Sequence, residues 1–261
     1  MRVNLSIYRA VLLGLALTAG GIAQADHSEL NPNVTDVSPG DTVKVSRIPG
    51  TIYLRTQNDP DDLIWDRLPV YRTDLYSAPP VHASVILRFD QNTALEPKHL
   101  YFQVARSDDR FYIRLRWKDA TDDSATTVDR FRDGVAVQYA INGPDTSFMM
   151  GSGPDNPVNI WYWQSDKAQV DNLAAGGYGS TTRLPEQSVA GASSYITDAI
   201  VQDNQWHVVM SRPLKIEGEH QVDLSRDSIP VVFALWEGSQ DQRDGDKRVS
   251  ANWIMLDNSN G

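Results

Sequence analysis

The run Val135-Ala136-Val137-Gln138-Tyr139-Ala140-Ile141, then Asp145-Thr146-Ser147-Phe148-Met149-Met150-Gly151, then Val158-Asn159-Ile160-Trp161-Tyr162-Trp163 reads as two β-strands joined by a turn-rich loop. β-Branched and aromatic residues dominate both runs, and Gly, Pro, Asp and Asn crowd the segment between them. Similar short runs recur along the chain, bounded by turn residues. They are 42–45, 51–55, 82–89, 100–105, 111–117, 134–141, 158–163, 206–211, 229–236 and 248–256. Ser107-Asp108-Asp109-Arg110 has the character of a hairpin connection. Few segments carry a 3.6-residue period. A short helical turn fits 59–68, and a short helix fits 166–175. Many short strands with few helices imply an all-β fold, a single β-sandwich of mostly antiparallel strands with long loops and one core. The small, polar stretch 164–203 reads as a long excursion from that sandwich.

The amino terminus has a separate logic. Arg2 and Arg9 precede the apolar run Ala10–Leu17, and Ala23-Gln24-Ala25 supplies small residues before Asp26. This is the pattern of a secretory signal peptide, 1–25, cleaved after Ala25. Residues 26–40 read as a loose leader and 41–261 as the folded domain. No stretch approaches the roughly 20 apolar residues of a membrane-spanning helix.

Removing the signal leaves 22 basic against 34 acidic residues, a formal charge of about −12. That disfavours nucleic acid and anionic membrane surfaces as partners and could steer a basic one. The absence of cysteine excludes disulfides, thiolate metal sites, iron–sulfur clusters and thioether-attached haem. Any cofactor is therefore held non-covalently. No Gly-x-Ser-x-Gly elbow or phosphate-binding glycine loop is present, so hydrolytic chemistry lacks its usual signatures. Asp119, Asp122, Asp123, Asp129 and Asp133 read as solvated loop carboxylates, with calcium ligation as the alternative.

Three positions bear on cofactor chemistry. Only four methionines remain after the signal, and Met149 and Met150 are adjacent beside aromatic strands. A thioether there can fill a core gap, or serve as a soft axial ligand to haem iron. Lys247 stands where the chain re-enters a strand. It is a solvated turn lysine unless buried, when a neutral amine becomes available to a metal. His207 alternates with Trp206, Val208 and Met210, as a core or interface histidine or as a ligand.

Taken together, these motifs resemble one family. They are Phe148-Met149-Met150-Gly151 with Val158–Trp163, Tyr112–Asp119, Trp206-His207-Val208-Val209 with Ser211–Leu214, Ala234–Gly238, and Asp244-Gly245-x-Lys247-x-Val249-Ser250-x-x-Trp253. In order and spacing they are similar to the haem b-binding gamma subunits of periplasmic molybdenum enzymes of the type II DMSO reductase family. That group comprises ethylbenzene dehydrogenase, dimethylsulfide dehydrogenase, selenate reductase and chlorate reductase. The likeness spans roughly 53–256. It implies a β-sandwich holding one non-covalent haem b between a methionine and a lysine. The methionine falls on Met150, with Met149 as the alternative, and the lysine on Lys247, with His207 as the substitute. Trp161, Trp163, Trp236 and Trp253 become pocket walls or nearby core.

The resemblance further implies a non-catalytic, periplasmic subunit relaying electrons between an iron–sulfur beta subunit and a soluble cytochrome c. A molybdopterin-bearing alpha subunit would carry the substrate chemistry. The competing reading is a secreted carbohydrate-binding sandwich, which would use exposed tryptophans as stacking platforms.

Overall fold

In the segment Arg110–Lys118, Phe111, Ile113, Leu115 and Trp117 fall on one side of the pleat, and Arg110, Tyr112, Arg114 and Arg116 on the other. A computed structural model describes residues 33–49, 58–81, 85–86, 96–124, 127, 129–198 and 203–259, and this alternation recurs through it. Fifteen strands form: β1 (Val34–Asp36), β2 (Thr42–Lys44), β3 (Ser46–Arg47), β4 (Val70–Ser77), β5 (Lys98–Arg106), β6 (Arg110–Lys118), β7 (Gly134–Ala140) and β8 (Val158–Gln164). There follow β9 (Asp171–Ala175), β10 (Thr182–Arg183), β11 (Ala190–Ile196), β12 (Gln205–Pro213), β13 (Ser228–Trp236), β14 (Arg248–Val249) and β15 (Ile254–Asp257).

The main path through the sheet runs β10-β9-β8-β7-β13-β14-β4-β5-β6-β12-β11. Its pairings are antiparallel; β1 on β4, β2 on β15 and β3 on β5 add parallel edges. The sheet turns over at β4. Tyr71–Leu75 of β4 pair with β5, whereas Tyr76 and Ser77 pair with β14. One strand thus belongs to two leaves, the usual corner of a folded-over sheet.

The leaves meet through their inward residues. Phe102 of β5 touches Phe233 of β13 with ring centres 4.9 Å apart. Trp117 and Trp206 meet Trp163 at 6.0 and 4.9 Å, and Phe111 meets Trp161 edge-on at 6.3 Å. Offset and edge-on pairs of this kind are the favoured aromatic geometry. They make a single buried core with Leu115, Val137, Val231 and Ile254. The fold is all-β and sandwich-like, as its alternation implies.

Several expectations need correction. The stretch 166–175 is no helix: Asp171–Ala175 pairs with β8, as Asn172↔Trp161 and Leu173↔Ile160. The 164–203 excursion supplies three strands, β9, β10 and β11. The leader is ordered from Val34, where β1 lies along β4 and Gly40 N–H donates to Trp253 O. The run 248–256 divides into β14 and β15. The helical turn expected at 59–68 contracts to a 3-10 turn, Trp65–Arg67. Asp119 and Asp133 are fully buried, not solvated. The expected signal peptide, His27, His82 and the run 51–55 lie outside the described residues. Of the run 82–89 only residues 85 and 86 are described, and they are helical.

Candidate cofactor-binding site

The inner faces of β7, β8 and β13 carry Val135, Val137, Tyr139, Trp161, Trp163, Val231, Phe233 and Leu235. Alternation therefore sends Ala136, Gln138, Ile160, Tyr162, Val232, Ala234 and Trp236 to the outer face. Register arranges them in rows. Gln164, Gly134 and Trp236 are level; then Tyr162, Ala136, Ala234 and Val249; then Leu173, Ile160, Gln138 and Val232. Three neighbouring positions, Gly134, Ala136 and Ala234, are small. They leave a recess where an outer face would ordinarily meet solvent, and β7 is buried on both sides.

The loop 142–157 closes over one end of this recess and is tied down along its length. Gln138 Nε2 donates to Phe148 O at 2.8 Å, and Trp253 Nε1 to Thr146 O at 2.8 Å. Gly177 N–H donates to Met150 O at 2.7 Å, and Asn142 Nδ2 to Asp155 O at 2.8 Å. The chain turns sharply at Met150-Gly151. Gly151 has φ 88°, and a Cβ there would stand 2.7 Å from Ala175 O and 2.9 Å from Asn156 O. Met150 itself sits at φ 67°, in the left-handed region that a bulky side chain rarely enters. Strain of this sort gathers where a side chain must be aimed.

The other boundary is the segment 238–247, which leads into β14. Trp236 Nε1 donates to Asp244 O at 3.1 Å, and Tyr162 packs on the Trp236 ring at 4.8 Å. The Lys247 ammonium lies 4.9 Å above that ring, a cation–π arrangement. Burial pulls its pKa down to about 8, opposed by Asp244. Lys247 is thus a desolvated amine with part of its population neutral at mildly alkaline pH.

Between these boundaries lies a cavity of about 520 Å³, a size suited to a cofactor. Met149, Met150, Trp236 and Lys247 line it, so the structure brings the methionine pair and the lysine to one place. It leaves the other predicted residues out. Trp161 and Trp163 point the opposite way, into the inner core. Trp253 is buried beside the cavity and acts through its bond to the methionine loop. His207 belongs to the other leaf. There its Nδ1 lies 2.6 Å from Asp61 and 3.2 Å from Arg114, and burial lowers its pKa to about 4.

Sequence reasoning missed the floor, Ala136, Gln138, Ile160, Tyr162, Val232 and Ala234. Its signal was present as small or apolar residues at every second position on both sides of β7 and β13. A thioether and an unpaired amine on facing boundaries form a donor set for a soft or borderline metal centre. No cluster of three His, Cys, Asp or Glu stands ready for a bare ion among the described residues.

No family model matches the chain. It is 53% identical to dimethylsulfide dehydrogenase subunit gamma of Rhodovulum sulfidophilum over 223 residues, 85% of this chain and 83% of that protein. It is 31% identical to chlorate reductase subunit gamma of Ideonella dechloratans, over 98% of this chain and 99% of that one. A Haloferax mediterranei protein named as a heme subunit of respiratory nitrate reductase is 33% identical, over 73% of this chain and 65% of its own length. Among solved structures, a Bacteroides uniformis protein named for carbohydrate binding superposes with a TM-score of 0.50 at 11% identity, covering 83% of this chain and 98% of that one. That last likeness concerns the sandwich alone.

Proposed function

The chain belongs to the family of gamma subunits found in dimethylsulfide dehydrogenase and chlorate reductase, and from this we propose that it is a b-type cytochrome subunit. The observation that carries the proposal is the cavity on the outer face of β7, β8 and β13, with Met150 at one boundary and Lys247 at the other. The residues fit a haem. The floor is mostly apolar, with Ala136 and Ala234 leaving room at its centre, and no cysteine is present for covalent attachment. The positive φ of Met150 holds the methionine loop in a strained turn at the cavity's edge. Burial keeps Lys247 close to its neutral, ligating form.

A haem bound here would supply a one-electron redox centre. Met150 and Lys247 then hold the group, with Met149 as the neighbouring thioether. The floor residues exclude water, and Trp236 backs the lysine. The subunit performs no substrate chemistry. It relays electrons in a complex whose iron–sulfur beta and molybdopterin alpha subunits do the rest, and exchanges them with a soluble cytochrome c in the periplasm.

All seven tryptophans are buried, so none offers the exposed platform that a sugar-stacking module needs. The test is an absorption spectrum of the periplasmically expressed protein, oxidised and dithionite-reduced, with a pyridine haemochrome assay. One extractable haem b per chain and a low-spin reduced spectrum are expected. A folded protein that stays colourless after haem addition would overturn the proposal.

A further inference from the structure

The cavity has two chemically unlike ends. At the row of Ile160, Gln138 and Val232 lies the methionine loop, fastened through Gln138 to Phe148. Four residues along the strands, about 13 Å away at 3.3 Å per residue, lies the row of Gln164, Gly134 and Trp236. Just beyond Gly134, Arg132 also lines the cavity.

Three polar side chains meet at that far end. Gln164 Nε2 donates to Tyr162 Oη at 3.2 Å, and the Arg132 guanidinium donates to the same oxygen. The Tyr162 ring leans over Gly134, whose absent Cβ would lie 3.1 Å from Tyr162 Cε2 and 3.3 Å from Oη. With its oxygen receiving two donors, the phenol has its own hydrogen to give. Asp166 holds Arg132 at the rim through a 2.8 Å bond to NH1. A guanidinium presents five N–H donors in a planar fork, so it can serve more than one acceptor. A phenol hydrogen, an amide and a guanidinium side by side want an acceptor that bears negative charge. On the Trp236 side the acid is Asp244, which is exposed and lies close enough to act on both Lys247 and Tyr162.

We infer that Arg132, Tyr162 and Gln164 form a carboxylate-binding corner that sets which way round a flat, apolar cofactor with carboxylates at one edge enters the cavity. The inference rests on the haem reading and deepens it. The carboxylate edge would face β8 and Arg132, and the apolar edge would point away from them. Asp166 acts as a positioning residue, aiming the guanidinium.

The experiment compares haem b with its dimethyl ester, which keeps the ring and iron but removes both negative charges. Each is loaded into the full-length wild-type chain and into Arg132→Gln, and its loss to apomyoglobin is timed. Wild type should release the ester on the order of tenfold faster than haem, the equivalent of about 1.4 kcal/mol. Arg132→Gln should release the two at nearly equal rates, and Arg132→Lys should recover part of the discrimination. Wild type that retains ester and haem equally overturns the corner while leaving the cytochrome intact. Undiminished discrimination in Arg132→Gln also overturns it. Wild type that takes up neither compound overturns the haem reading itself, and the corner with it. Because the first comparison needs no variant, a misfolded Arg132→Gln does not blunt the test.

Discussion

The Lys247 ammonium stands 4.9 Å from the centre of the Trp236 ring, and the acid that acts on it is the exposed Asp244. A buried cation in this position weakens the apo fold, because the aromatic face returns less than the lost hydration. Its folded pKa, about 8, lies below the ordinary lysine value of 10.5, so the penalty is full below pH 8 and fades as pH rises from 8 towards 10.5. Lys247→Leu should therefore raise apo-protein stability at pH 7 by about 1–2 kcal/mol, and the gain should shrink towards pH 10. Urea unfolding across that range measures it. In haem-loaded protein the same variant should shift or abolish the low-spin spectrum.

Met150 should reverse an ordinary rule. Alanine normally outlasts glycine in folded chains, but at φ 67° a Cβ is a burden. Met150→Gly should be more stable than Met150→Ala by about 1 kcal/mol in chemical denaturation, although both lack the thioether and should show the same altered haem spectrum. Alanine proving the more stable of the two would mean that the strained turn is not there.

Gly151→Ala meets both a positive φ and a closed wall, with Ala175 O and Asn156 O each under 3.0 Å from the new methyl group. A loss of about 2–4 kcal/mol is expected. The methionine loop should detach before the sandwich does, which hydrogen exchange at Gly177, the donor to Met150 O, would report.

Two buried groups should pull the pH profile in opposite directions. Burial, with Asp133 beside it, lifts Asp119 to about 7; Asp133 is lifted to about 6 by its own burial. Folded values above the unfolded ones give stability that is present in acid and lost as pH rises towards 7. His207, lowered to about 4, does the reverse, and its contribution is lost as pH falls from 6.5 towards 4. Asp119→Asn should flatten the decline between pH 5 and 7.5, and His207→Gln should steepen it. Melting temperatures of the three proteins across pH 4–8 decide the matter, and parallel curves would contradict it.

Trp163→Ala should cost about 3–5 kcal/mol by opening a hole among Trp117, Trp206 and Val135, without entering the cavity. Haem-loaded protein, where it still folds, should keep the wild-type band positions. Trp236→Leu should change the bands at smaller cost to the fold.

The fold was legible wherever alternation ran clean. Phe111–Trp117 and Trp206–Ser211 could be read as strands, because every second residue is large and apolar. β4 escaped notice since Arg72-Thr73-Asp74 puts three polar residues in succession, with Thr73 taking an inward position. β9 read as helix because Lys167, Ala168 and Gln169 favour one; pairing with β8 and the Asn159–Asn172 side-chain bond override that preference. At the site, Met149, Met150 and Lys247 were singled out together through the family resemblance, and the fold brings all three to one cavity. The tryptophans were harder. Period-two spacing states that Trp161 and Trp163 oppose Tyr162, yet gives no sign of which face receives the methionine loop. That depends on residues far away, Gln138 and Trp253, and on the small side chains of β7 and β13.

The division between the two faces of β7, β8 and β13 also orders events in time. The contacts that join the leaves lie on the inner side and most of the cavity's lining lies on the outer, with Phe233 taking part in both. The polypeptide can complete its folding as an empty vessel, so loading becomes a late and separable step, open to control by supply. The same partition lets ligands and rim charges be exchanged, retuning the redox poise, without disturbing the contacts that join the leaves.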